Sequence, residues 1–189
     1  MRQVTFTVRG IAPYTQSRMH GVPKLEKEHP DDYEERTWRE KSTVDAEGFV
    51  CVPAGALKQA FDRAAKMLSI QIPNRGKSTY TKHFLAGVMV MNDLRLSTKK
   101  EDATKITINA NADGVRGSGK RVRRHFPQVP PGWGGEVSVL IVDETITPAV
   151  FEKHAKEAGM LVGVGQYRPE NGGTNGRFQC SNFTWSEVS

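Results

Sequence analysis

The sequence holds few of the signatures that commit a chain to covalent or metal chemistry. Only two cysteines, Cys51 and Cys180, occur in 189 residues. Two thiols without CxxC spacing make neither a disulfide framework nor a zinc site. No apolar run approaches the roughly 18 residues that a membrane-spanning helix needs. The opening MRQVTFTVRG alternates like a strand and lacks the continuous apolar stretch of a signal peptide. The expectation is a cytoplasmic protein with no membrane partner. The five histidines, His20, His29, His83, His125 and His154, include no i, i+4 pair and no cysteine neighbour, so no metal site is expected. No Gly-x-Ser-x-Gly elbow and no Cys–His signature nominates a nucleophile. No cofactor is expected either.

Two phosphate-loop look-alikes fail on chemistry. GVRGSGKR (residues 114–121) has Arg121 where a magnesium-binding Ser or Thr belongs, and VRRHFPQVPP after it has no helical pattern. NRGKST (residues 74–79) has Gln71 where the first glycine belongs. Asp31 and Asp32 have the chemistry to hold a metal or a ribose hydroxyl, and equally to solvate a loop.

What the chain has is positive charge, unevenly placed. Residues 51–135 carry 15 Lys/Arg against five Asp/Glu, whereas residues 1–50 carry eight against nine and residues 136–189 four against seven. The net charge of +6 thus arises in the middle of the chain, which points to a polyanion. The hydrophobic fraction of 37% and mean hydropathy of −0.53 suggest exposed loops or arms beyond the core.

Periodicity supplies a coarse fold. Val4, Phe6 and Val8 alternate with polar residues as a half-buried strand does. Residues 11–48 are polar and charge-rich, a long inserted loop with a short helix over residues 34–41. FVCV (residues 49–52) predicts a strand, and Pro53 turns it into a helix. Leu57, Ala60, Phe61, Ala64, Met67 and Leu68 form the apolar stripe of that helix. A basic loop over residues 73–84 precedes a buried strand and turn in LAGVMVMNDLRL (residues 85–96). KITINA (residues 105–110) alternates, and DGVRGSGKRVRRHFPQVPPGWGG (residues 113–135) predicts an exposed arm or hairpin. A strand over residues 136–142 and a helix started by Thr147 and Pro148 and stopped at Gly159 follow. The order predicts an α+β antiparallel sheet with two main helices on one face, as a single domain over residues 1–189. Its insertions are the loop of residues 11–48 and a basic arm region of about residues 73–135.

VGVGQYRPENGGTNGRF (residues 162–178) places five glycines beside Tyr167, Arg168 and Arg177. Ordering glycine costs conformational entropy, so such a run needs a reason. It is either a set of tight turns or a cradle whose backbone N–H groups and arginines receive phosphates. The candidate nucleic-acid contacts are Arg18, Lys58, Arg75, Lys77, Lys82, Arg116, Lys120, Arg121, Arg123, Arg124, Tyr167, Arg168 and Arg177. Lys and Arg neutralise phosphates, and Tyr stacks on exposed bases.

Two stretches resemble the RAMP superfamily, the backbone subunits of CRISPR effector complexes. FVCVPAGALKQAFDRAA is similar to their strand–helix element, with Val52-Pro53 and the Leu57-Lys58 pair in place. GVGQYRPENGGTNGRF is similar to their C-terminal glycine-rich loop, and VTFTVRGIAPY to their first strand. Ala54 and Ala56 replace the usual serines, and residues 70–135 are unmatched. The resemblance implies a ferredoxin-like, RRM-type core, a guide-RNA grip and a homo-oligomeric filament. The chain also resembles small proteins of tailed phages, which would put it in a bacterial host's cytoplasm working on single-stranded DNA. The leading expectation is non-catalytic, sequence-independent binding of single-stranded RNA or DNA. The alternatives are a metal-independent RNA-processing nuclease using His20 or His125, and a phage protein-interaction module acting on host defence.

Overall fold

The computed structural model describes residues 1–111, 119 and 121–188. The elements run β1 (Arg2–Gly10), β2 (Tyr14–Thr15), α1 (Pro30–Thr37), β3 (Phe49–Val52), α2 (Ala54–Leu68), α3 (Thr81–Gly87), β4 (Val88–Val90), β5 (Leu94–Lys99), β6 (Thr104–Asn111), β7 (Arg121–Val129), β8 (Gly134–Ile141), α4 (Pro148–Glu157) and β9 (Phe178–Glu187). Four of the strands form one antiparallel sheet in the order β4-β8-β1-β9. With α2 and α4 between them, the path β1–α2–β4–β8–α4–β9 is a ferredoxin-like fold.

Alternation along β1 decides which face is covered. Val4, Phe6 and Val8 are buried toward the helices, and Phe6 meets Phe61 of α2 and Phe151 of α4 at 6.3 and 5.9 Å. Those two rings contact each other at 5.7 Å, so three phenylalanines join sheet and helices. Burying each such ring contributes about 1.5–3 kcal/mol. On the opposite face β1 presents Thr5 and Thr7, and Thr5 shares a hydroxyl contact of 3.2 Å with Ser138 of β8. The rings of Phe6, Phe178, Phe183 and Trp185 are all turned to the helix side or the core. The open face therefore offers hydroxyls, not stacking surfaces.

The insertions build two smaller sheets, β2-β7-β6 and β3-β5. The arm expected around residues 113–135 is the β6–β7 hairpin, paired from Thr104↔Gln128 to Asn111↔Arg121. Several boundaries differ from the sequence expectation. The short helix begins earlier, at Pro30, and passes at Trp38–Lys41 into a tighter turn. Residues 81–87, expected as loop and strand, form α3, because Tyr80 and Phe84 are both buried one helical turn apart. The buried stripe of α2 drifts to Ala65, leaving Met67 exposed. Gly159 does not stop α4, since the helical path runs on as a wide π turn over Ala158–Val162.

His154 is buried on α4, donating from Nδ1 to the Val150 carbonyl at 2.7 Å, with its Nε2 unpartnered. Its ring lies 4.4 Å from Phe84. Burial pushes its pKa below the ordinary histidine value, a shift only partly opposed by the Val150 bond. The unfolded chain therefore binds this proton more readily than the folded one. Stability should be full above about pH 6.5 and fall as the pH drops below it. Urea midpoints measured between pH 7.5 and 5 should show this fall. His154→Leu should flatten it, and an unchanged slope in that variant would assign the loss to other groups.

Candidate nucleic-acid interface

Residues 11–16 leave β1 and are gripped from both sides. On one side β2 pairs with β7, Tyr14 opposite Val129 and Thr15 opposite Gln128. On the other, the glycine-rich loop docks by backbone: Gln166 N–H donates to the Thr15 carbonyl and Gly176 N–H to the Pro13 carbonyl, each at 2.7 Å. The Ile11 N–H donates to the Arg177 carbonyl at 2.9 Å, and the Asn175 amide reaches the Thr15 hydroxyl at 3.0 Å. Gly165 (φ +79°) and Gly176 (φ +70°) have left-handed backbones, and a Cβ at either would overlap a carbonyl, Thr15 or Val164. These glycines serve close packing and turning. They are not an empty cradle.

The loop's arginines are engaged within it. Arg168 donates to Glu170 at 3.0 Å and to the Gly165 carbonyl at 3.0 Å, and Arg63 of α2 binds the same Glu170. Arg177 donates to the Met160 carbonyl at 3.2 Å. Lys58 is held likewise, by both oxygens of Asp62 at 2.5 and 2.6 Å and by the Phe84 and Leu85 carbonyls at 3.2 Å. The first amide of α2, on Ala54, already donates to Asp93 at 2.7 Å. Lys58, Arg168 and Arg177, expected from the sequence as phosphate contacts, thus also hold elements of the fold together.

The hairpin is held by charge as well as by pairing. Past Gln128 the outer edge of β7 has no partner strand among the described residues, and two side chains take its place. The His125 N–H donates to Glu34 at 2.9 Å and the His125 carbonyl accepts from Lys41 at 2.7 Å, while Lys41 and Glu34 form a buried ion pair. Arg124 adds a contact to Glu34 at 3.5 Å. Burial works to raise the Glu34 carboxyl, but the bonds from Lys41 and His125 hold it below the usual range. The imidazole of His125 is bound on both nitrogens, to Thr107 at 2.9 Å and Glu35 at 3.4 Å. His20 lies beside the Tyr33 ring at 6.0 Å with a buried Nδ1 that has no partner. Neither imidazole lines the groove or the two recesses that hold Arg18, Arg121 and Arg124. Among the described residues no cluster of His, Cys, Asp or Glu has the makeup of a metal site.

Between hairpin and loop lies an open groove of about 780 Å³, lined by residues that include Asn109, Arg121, Gln166 and Tyr167. A recess of about 330 Å³ shares Gln166 and reaches Arg18; one of about 230 Å³ shares Asn111 and reaches Lys41, Arg124 and Phe126. Tyr167 has a left-handed backbone (φ +57°), unusual for a bulky residue, and its ring meets Phe126 edge-to-face at 6.0 Å. Burial pushes its phenol up, so it stays protonated at neutral pH. Arg121 lines the groove and Arg18 the larger recess, while Arg123 is exposed on the same hairpin, and none of the three makes an ion pair among the described residues. Arg116 and Lys120 lie outside the described residues. Arg75, Lys77 and Lys82 are exposed too, but they follow the C-terminal end of α2 and line neither the groove nor the two recesses. Asn109, Gln166 and Asn171 escaped the sequence reading because an amide carries no charge to stand out in composition. Among the described residues, no helix is long and apolar enough to cross a membrane.

No protein-family model matches the chain, and no curated protein is similar to it in sequence. Among solved structures it is similar to a chain of the Type III-B Cmr-beta bound to cognate target RNA, solved by cryo-EM, at 10% identity and a TM-score of 0.53. The likeness covers 97% of this chain and 60% of that one, so this chain spans well under two thirds of its neighbour. It shows a shared ferredoxin-like fold.

If the glycine loop is held as described, Arg168→Ala should cost about 1–2 kcal/mol, read as roughly 2–8 °C in Tm for a chain of this size. Gly176→Ala should cost at least as much through strain and overlap. Lys41→Met, which takes the close ammonium partner from the buried Glu34 and leaves it the His125 N–H and the longer Arg124 contact, should cost about 3–5 kcal/mol. An Arg168→Ala protein with unchanged Tm would return that arginine to solvent.

Proposed function

We propose that this protein binds single-stranded nucleic acid, without catalysing a reaction on it, along the groove between the β6–β7 hairpin and the glycine loop. The observation that carries this reading is the exposure of Arg18 and Arg121, without acidic partners among the described residues, on the walls of the groove and its neighbouring recess, with Arg123 exposed on the same hairpin. Several other cations are matched within the fold: Lys100 by Glu40, Lys105 by Glu35, and Arg95 by Asp45 and Glu47. Unmatched guanidinium groups beside a concave wall attract phosphates and gain from releasing their counterions. Arg124, which contacts Glu34, lines the adjoining recess. A solved chain of similar fold comes from a structure with target RNA, which is consistent with this use of the fold.

Arg75, Lys77 and Lys82 form a second basic patch at the other end of α2. A strand that runs on beyond the groove reaches it, or the strand held by a neighbouring copy does. Copies on one strand then touch, and binding is cooperative. The nuclease alternative gains no support, since both nitrogens of His125 are already bonded and neither it nor His20 borders the groove.

Fluorescence anisotropy with labelled single-stranded DNA and RNA across a salt series tests the reading. Affinity should fall steeply with salt, and Arg121→Ala with Arg123→Ala should flatten the log–log slope by about 1.4, at roughly 0.7 per phosphate. Removing Arg75 and Lys77 should matter only on oligonucleotides long enough to span both patches. Light scattering should report several copies on a saturated long strand. A slope unaffected by the hairpin variants would move the interface elsewhere.

A further inference from the structure

The groove has a wall chemistry that phosphates do not need. Arg121 is its one cation among the described lining residues, and Glu170 faces it with the opposite charge. Most of its other polar groups are amides, and Asn109, Gln166 and Asn171 are exposed without side-chain bonds among the described residues. Tyr167 lines the same groove, held in its left-handed backbone by the Asn175 N–H, which donates to the Tyr167 carbonyl at 3.0 Å. A strained backbone on a bulky residue costs free energy and persists where its surroundings fix it, which makes its side chain's placement informative.

From this wall we infer that the groove is a nucleobase pocket with a preference for adenine, which deepens the proposed strand binding and rests on it. An amide presents a donor and an acceptor side by side. Adenine answers with an adjacent acceptor and donor on two edges, N6 with N7 and N6 with N1, where a pyrimidine offers fewer such edges. Guanine's O6 and N7 are both acceptors and call for a guanidinium. A purine also gives Tyr167 the larger face to stack on, and the neutral phenol adds a donor. Arg121, at the rim, is left for the phosphate of the same nucleotide. Phosphate contacts position the strand, and this wall reads one base of it. Binding should therefore depend on sequence, where basic charge alone would make it indifferent.

The test uses the full chain and labelled single-stranded 12-mers of A, of C and of T or U, in DNA and RNA forms, with an abasic 12-mer as reference. Wild-type protein should bind the A 12-mers about tenfold more tightly than the pyrimidine ones at equal salt. Asn109→Ala with Gln166→Ala, both exposed and free to change without unfolding the chain, should bring the series to within about twofold while leaving its salt slope intact. Tyr167→Leu should weaken every base-bearing 12-mer and leave the abasic one unaffected. Equal wild-type affinity for A, pyrimidine and abasic strands, with a normal salt slope, would overturn the pocket and leave strand binding standing. No binding to any 12-mer would overturn both.

Discussion

The interface depends on a six-residue segment whose backbone is bonded on both edges. Residues 11–16 give two strand pairs to β7 and accept through the Pro13 and Thr15 carbonyls from the glycine loop. Without that segment the hairpin, an insertion between β4 and β8, and the loop, a connection between α4 and β9, would have no common support. The groove exists because both are fastened to the same strip of chain. The glycines matter here through what they lack. Gly165 and Gly176 bring two backbones closer than any side chain allows, and the peptide bonds then do the holding.

The second constraint is electrostatic. An open strand edge invites pairing with another chain, and the outer edge of β7 is closed by a buried Glu34–Lys41 pair, one partner accepting from His125 N–H and the other donating to its carbonyl. Burying two charges is costly unless their remaining bonding capacity is satisfied. Here the strand edge itself satisfies it. The same arrangement anchors the hairpin to α1, which gives the charged insertion a structural role. It also spends charge: Glu34, Glu35, Glu40 and Glu47 of the N-terminal quarter answer basic residues of the middle. Part of the surplus that composition assigned to residues 51–135 is matched in three dimensions, and the rest remains for a polyanion.

Much of the core was legible because its periodicity is local. The alternation of Val4, Phe6 and Val8 and the 3.6-residue stripe of Leu57, Ala60, Phe61 and Ala64 belong to long elements that bury one face, and the Thr147–Pro148 start gave α4. The seven-residue α3 escaped because fewer than two turns show no period. The basic arm was legible as a hairpin from its composition, though not where it would dock. The glycine loop was the hardest to read. Its partner, Thr15, lies about 150 residues away in sequence, and only that contact separates a packed turn from a cradle. For Arg168 a local signal existed, since Glu170 stands two residues on across a proline and takes its guanidinium.

The central claim is that the strand lies between hairpin and loop and not on the open sheet face, where the fold leaves a flat, hydroxyl-bearing surface. Photo-crosslinking of a single strand carrying 4-thio-substituted pyrimidines, followed by mass spectrometry of the peptides, decides between them. The account predicts adducts at Tyr167 and along residues 121–126, with none at Thr5, Thr7, Ser138 or Thr184. Adducts concentrated on those four sheet residues, with the hairpin and loop unmodified, would contradict it.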